Sequence, residues 1–269
     1  MSDGIFIIRG GFFGWEFTIK LLYVILGLIL CIYDWKKNNR KDYFWVLIFG
    51  TFLYLGSEVM LFSFGGRVMQ GQLLFGMDIN SMPWLWIPLL AVGDVVVVGV
   101  IALFFADRIR VSETRKKWGI IFIVWVFCRN VVPYSILFGL GNNFDSIAVG
   151  DPLIYSRRNM IEIGTLIALS IMIGVTIIWL VKTDKRSRKR GLYMIGIMLI
   201  LMIAWSFGEW FSGQRWIEVG PEEGPWTPAP PLLQFGMFLY DIVIEMGLFT
   251  VCFLAVPYLL KLIKPETQE

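Results

Sequence analysis

The sequence predicts an all-α, polytopic membrane protein: one domain over residues 1–269, a bundle of seven transmembrane helices. Three observations lead there. The chain has 269 residues, of which 57% are hydrophobic and 17% charged, with a mean hydropathy of +0.69; a soluble domain of this length is not so apolar. Seven apolar segments stand out, at roughly 15–34, 43–64, 84–106, 118–140, 160–182, 191–211 and 231–262. Each has about 20 residues or more, enough to cross a hydrocarbon core of about 30 Å. Finally, basic residues alternate from one connection to the next. Seventeen of the 24 Lys and Arg follow the first, third, fifth and seventh segments, and only Arg9, Arg67, Arg157, Arg158 and Arg215 lie on the other side. The positive-inside rule then places the N-terminus outside and the C-terminus in the cytoplasm.

The segments justify themselves in turn. The first ends at Asp34, ahead of Lys36, Lys37, Arg40 and Lys41. The second, within TFLYLGSEVMLFSFGG, carries Glu58 in an apolar run with no cation beside it. Asp94 interrupts the third, and the pair Arg129-Asn130 the fourth. Glu162 and Glu209 stand near the outer ends of the fifth and sixth. The seventh carries Asp241 and Glu245, an i, i+4 pair on one helix face. The outer connections Gly65–Pro83, Gly141–Asn159 and Ser212–Pro231 are rich in Gly, Pro and aromatics. The last includes GPEEGPWTPAPP, too proline-rich for helix and read as an ordered cap. An internal echo links three hairpins: Asp34 precedes Glu58 by 24 positions, Asp184 precedes Glu209 by 25, and Asp107 stands in the same relation to Arg129-Asn130.

Several classes of chemistry drop out. There is no histidine, which removes His-ligated haem, His-based zinc and iron sites and every His-dependent triad. Cys31, Cys128 and Cys252 fall in apolar segments and read as core or lipid-facing thiols, not a disulfide framework. Met1 to Gly14 lacks the basic start and cleavage site of a signal peptide. The basic runs act as topology determinants, so no nucleic-acid partner is expected, and neither is a metal or cofactor.

What remains is a set of intramembrane carboxylates. Counting 1.5 Å per residue, Glu58 lies about 22 Å from the cytoplasmic face. Asp94 and Asp241 lie about 15 Å below the outer one. Arg129 reads as the buried cation, there to neutralise one of the carboxylates. An ionisable group at such depth is costly and marks function by default. Burial and neighbouring carboxylates both disfavour the anion, leaving a neutral acid able to give up a proton. That proton can go to an organic substrate or along a transport relay; depth and composition leave both open.

Three stretches carry a family resemblance. LYLGSEVMLFSF around Glu58, WIPLLAVGDVVVVGVIALFFADR around Asp94, and PPLLQFGMFLYDIVIEMGLFTVCFLAVPY around Asp241 together resemble the small transmembrane terpene cyclases of the pyripyropene type. These are known from fungal meroterpenoid and indole-diterpene pathways and have bacterial relatives. DKRSRKRGLYMIG resembles the family's basic connection into its sixth helix. Ser57 stands before Glu58 where the family carries an aromatic residue, and Glu245 has no family counterpart.

The resemblance implies seven helices and metal-free chemistry on a hydrophobic prenyl substrate taken from the bilayer, with Glu58 as general acid, Asp241 as its partner and Asp94 beside them. It implies a bacterial plasma membrane or a fungal endoplasmic reticulum. In such chemistry an epoxide or alkene is protonated, double bonds attack the cation in succession, and a base ends the cascade. The residues agree with a proton-initiated route: no DDxxD or DxDD cluster is present. An aromatic wall to stabilise cations is expected from Tyr54, Trp84, Trp86, Trp205, Trp210, Phe238 and Tyr240, with Glu209 among the substrate-binding residues. A proton-coupled carrier using the same carboxylates is the competing reading. A light or ligand receptor is the weakest reading: helix seven offers Glu245 where a Schiff-base lysine would be needed, so no retinal Schiff base forms there. The expectation is that Glu58, Asp94 and Asp241 face one shared pocket in the outer half of the membrane.

Overall fold

The computed structural model describes residues 5–10, 16–70, 72–133, 135, 155–159, 162–211, 215–219, 227–245 and 249–264. The described chain is mostly helical. Four stretches are long and apolar enough to cross a membrane: Phe17–Asn38, Asp42–Ser63, Pro83–Ile109 and Lys185–Phe211. In chain order the helices are α1 (Glu16–Asn38), α2 (Asp42–Ser63), α3 (Pro83–Ile109), α4 (Ser112–Val126), α5 (Ile163–Lys182), α6 (Lys185–Phe211), α7 (Pro231–Tyr240) and α8 (Cys252–Leu259). Large apolar side chains cover the outside, among them Phe52, Ile123, Ile171 and Val181. That is the surface a hydrocarbon solvent requires.

Helix α3 is the centre. Val95 through Leu103 is buried at every position, the mark of a helix apolar all round and enclosed by others. Small residues let its neighbours close in. A Cβ placed on Gly93 would stand 2.8 Å from the Lys20 carbonyl oxygen of α1, and one on Gly50 of α2 would stand 2.7 Å from Val96. Helices that lack a hydrophobic drive to associate in lipid pack through such close approaches.

Three helices depart from regular α geometry. One π-turn lies at Val92–Val96 inside α3, a second at Phe127–Val131 continues α4, and a third at Asp241–Glu245 continues α7. Each π-turn contains an ionisable residue singled out above: Asp94, Arg129 or Asp241. The extra residue of a π-turn re-aims one side chain without ending the helix, and such turns concentrate at functional positions. The segment read as one helix over 231–262 is divided: α7, its π-turn, then a 3-10 turn at Phe249–Val251 leading into α8.

The outer connections hold structure that the sequence reading assigned to loops and cap. Five strands, β1 (Ile5–Gly10), β2 (Arg67–Gln70), β5 (Tyr155–Asn159), β6 (Arg215–Val219) and β7 (Thr227–Pro228), form an antiparallel sheet in the order β2-β5-β1-β6-β7. Arg9, Arg67, Arg157, Arg158 and Arg215 all occupy strands, with Arg67 opposite Arg158 and Arg9 opposite Arg215. β3 (Leu73–Leu74) and β4 (Met77–Asp78) make a small hairpin whose turn, Phe75-Gly76, has φ of 50° and 80°. Paired positive φ matches the twist of a tight hairpin. Residues 220–226 of the proline-rich cap lie outside the described residues.

At the opposite end, α6 starts where Asp184 accepts the amides of Arg186 and Ser187 at 2.9 Å each, an N-cap. Tyr258 of α8 donates to the other carboxylate oxygen at 2.7 Å. Burial, the largest single influence, pushes this carboxyl up, but the bonds from Ser187, Tyr258 and Arg186 together outweigh it and bring it down to about 2. A lowered folded value stabilises above the unfolded value near 3.9 and is lost as pH falls toward 2. Acid unfolding of purified protein is therefore expected to steepen between about pH 4 and 2, and Asp184→Asn to flatten that window. An unchanged profile would remove the assignment.

Candidate functional site

Glu58, Asp94 and Asp241 each meet a different partner. Glu58 is 1% exposed, and Arg67 Nη1 bonds both its oxygens at 2.7 and 2.9 Å. Local geometry explains the meeting. After α2 ends, Gly65 takes φ 70°, the Gly66 amide returns to the Leu61 carbonyl at 2.8 Å, and β2 carries Arg67 back over the last turns of the helix. The Asn159 amide then bonds the Gly66 carbonyl at 2.7 Å, locking β5 beside it. The expectation that Glu58 lacks a nearby cation is thus corrected: its partner is nine residues downstream, on a strand that helical periodicity does not reveal. With a guanidinium on both oxygens, Glu58 is one half of a buried ion pair and not a free proton donor.

Asp94 is a second such case. Lys20 of α1 reaches it at 3.2 Å, and the Gly93 contact holds the two helices together at this level. Arg129, expected to neutralise a carboxylate, pairs with none among the described residues. Its guanidinium donates to Asn130 Oδ1 at 3.4 Å and lies over the rings of Tyr23 and Trp125, 5.4 and 5.8 Å from their centroids. Nor is it the buried cation: Arg129 is half-buried, whereas Lys20, Arg67, Arg158 and Arg190 are buried.

Asp241 is the third. It is 2% exposed, and Ser206 of α6 donates to its Oδ2 at 3.1 Å. Glu209, one turn further along α6, is also buried. At the next rung Trp210 meets Phe238, and Phe207 meets both, with ring centroids 4.7–6.4 Å apart. Two buried carboxyl-bearing residues, a hydroxyl and three rings therefore line the α6–α7 seam. The side chain of Glu245 lies outside the described residues.

The contacts of the three come from different elements: Glu58 meets Arg67 of β2, Asp94 meets Lys20 of α1, and Asp241 meets Ser206 of α6. The aromatic residues expected to form a wall are placed as follows. Trp210 and Phe238 belong to the Asp241 seam, with Trp205 and Tyr240 half-buried on the same two helices. Tyr54 stacks on Phe249 at 5.9 Å. Trp86 packs edge-on against Phe62, whose ring lies 5.9 Å from the Arg67 guanidinium. Trp84 is 72% exposed and faces outward. Among the described residues no group of three carboxylate or thiol side chains is placed to hold a metal ion.

A second charged cluster, at the basic end, was not anticipated as a unit. Arg190 of α6 grips Asp107 of α3 through Nε and Nη2, both at 2.7 Å, and reaches Asp42 of α2 at 2.7 Å. Tyr43 donates to Asp107 at 3.1 Å, while Arg40 bonds Asp34 at 3.0 Å and comes within 3.5 Å of Asp107. Asp34 and Asp107, noticed in sequence as the openings of two hairpins, are here the anchors that tie α1, α2, α3 and α6 together.

The chain matches no family model, no curated protein and no solved structure. The geometry alone therefore carries the functional reading.

The Glu58–Arg67 pair makes one prediction on its own. Glu58→Gln keeps one acceptor for Arg67 but leaves a buried guanidinium uncompensated, at a cost of about 3–5 kcal/mol. Adding Arg67→Met should recover most of that loss in thermal unfolding. Equal instability of the single and double variants would contradict the pairing.

Proposed function

We propose that this protein is a seven-helix membrane enzyme that starts the cyclisation of a prenyl chain by proton transfer from Asp241. The observation that carries the reading is Asp241 itself: buried in a π-turn, hydrogen-bonded by Ser206, and one rung from three aromatic rings. In the proposed step the Asp241 O–H bond breaks and its proton forms a new bond to an alkene carbon or an epoxide oxygen. Successive double bonds then close on the cation, the rings of Phe207, Trp210 and Phe238 stabilise it, and loss of a proton to a base ends the cascade. Returning that proton to Asp241 completes the turnover. Glu58, ion-paired, anchors β2 and with it the sheet over the helix ends.

Seven spans are proposed by adding α4, α5 and the α7–α8 pair to the four long helices. Strands flank one end of the bundle and the basic connections the other, which supports an outer N-terminus and a cytoplasmic C-terminus. A reporter fused after Glu269 should be active on the cytoplasmic side; activity only outside would overturn this orientation. The enzymatic reading is tested by incubating membranes with plain and epoxidised prenyl substrates and following products by mass spectrometry. Cyclised products that depend on Asp241 support it.

A proton-coupled carrier is the second reading, favoured by one feature: buried ion pairs close both ends, Arg67–Glu58 at one and Arg190–Asp107 at the other. Proton-driven solute uptake by vesicles, without product formation, would select it.

A further inference from the structure

We propose that the groove where α1 hands over to α2 binds one anionic phospholipid of the cytoplasmic leaflet. The groove, about 300 Å³, is lined by Trp35, Lys41, Phe44, Trp45 and Ile48. Its walls are apolar and preformed: Trp35 meets Phe44 edge to face at 6.3 Å. It opens sideways, with Trp35 and Ile48 both exposed and Phe52, further along α2, more exposed still. Ile48 lies seven residues beyond Lys41, so the lining runs about 10 Å along the helix, the direction an acyl chain takes into the bilayer.

Positive charge gathers at the mouth. Lys36 and Lys41 place their Nζ atoms 5.0 and 5.8 Å from the Trp35 ring centroid, and Lys37 stands 5.4 Å from that of Tyr33. Among the described residues no carboxylate pairs with these three lysines. The nearby candidates are turned inward and already engaged, Asp34 with Arg40 and Asn38, and Asp42 with Arg190. Uncompensated ammonium groups over aromatic rings, above an apolar channel, match a phosphate headgroup with its chain below. A zwitterionic headgroup would bring its own cation against them. The inference is independent of the catalytic reading; only the name of the leaflet rests on the orientation proposed above.

The test is lipid retention. Protein reconstituted in an equal mixture of phosphatidylglycerol and phosphatidylcholine is re-extracted, and its bound lipids are counted by native mass spectrometry. The unaltered chain should retain one phosphatidylglycerol preferentially. Lys36→Gln/Lys41→Gln should lose at least about tenfold of that preference, as expected for two interfacial lysines. Lys116→Gln/Lys117→Gln, on the same side but outside the groove, should keep it. Equal loss in both double variants would assign the effect to general surface charge and overturn the site, as would full retention by Lys36→Gln/Lys41→Gln. Displacement of the lipid by millimolar inorganic phosphate would overturn the lipid as occupant.

Discussion

Arg190→Met is expected to cost about 3–5 kcal/mol of stability, the largest single loss in the basic half of the molecule. Arg190 is 3% exposed and Asp107 8%, so removing the guanidinium leaves a buried carboxylate with its main partner gone. Arg40 and Arg110 remain near Asp107, at 3.5 and 3.4 Å, but neither offers the two short parallel bonds that Arg190 makes. A buried ion pair is costly to break and cheap to replace whole. Arg190→Met combined with Asp107→Leu is therefore expected to unfold at a higher temperature than Arg190→Met alone. Thermal unfolding in detergent, followed by tryptophan fluorescence, measures both. If Arg190→Met unfolds within a degree or two of the unaltered protein, the cluster does not hold α2, α3 and α6 together.

Asp241→Asn is expected to lower turnover by about 10²–10⁴-fold, the range for loss of a general acid. The amide keeps the size of the side chain and can still accept the Ser206 bond, so the fold should survive while the transferable proton is gone. Ser206→Ala probes the same site more gently. It removes the hydroxyl that orients Asp241, and a loss of one bond of this kind is worth about 0.5–1.5 kcal/mol, or roughly three- to tenfold in rate if it acts in the transition state. A Ser206→Ala effect on stability with none on turnover would mark the bond as packing alone.

Helical order was legible because its signal is local. Apolar runs of membrane length and basic residues after alternate segments can be read along the chain, and α1, α2, α3 and α6 fall where those runs predict them. Glu58, Asp94 and Asp241 were legible for the same reason, as charges within apolar runs. Their partners were not. Lys20 looks like a residue at the start of a helix until Gly93 brings α3 against it, and Arg67 reaches Glu58 only because Gly65 reverses the chain. The sheet was hidden because its strands are short and lie far apart in sequence, so no alternation longer than five or six residues announces them. The π-turns left only a trace, the ionisable residue each one presents. One reassignment follows from the Glu58–Arg67 pair: Glu58 becomes an anchor, and the proposed role of acid passes to Asp241.

The most direct measurement compares product formation by Asp241→Asn and Glu58→Gln in lipid nanodiscs, on the same prenyl substrate and normalised to folded protein. The account predicts that Asp241→Asn loses at least a hundredfold, while folded Glu58→Gln stays within about tenfold of the unaltered protein. Near-normal turnover by Asp241→Asn, or a larger loss in Glu58→Gln than in Asp241→Asn, would contradict it.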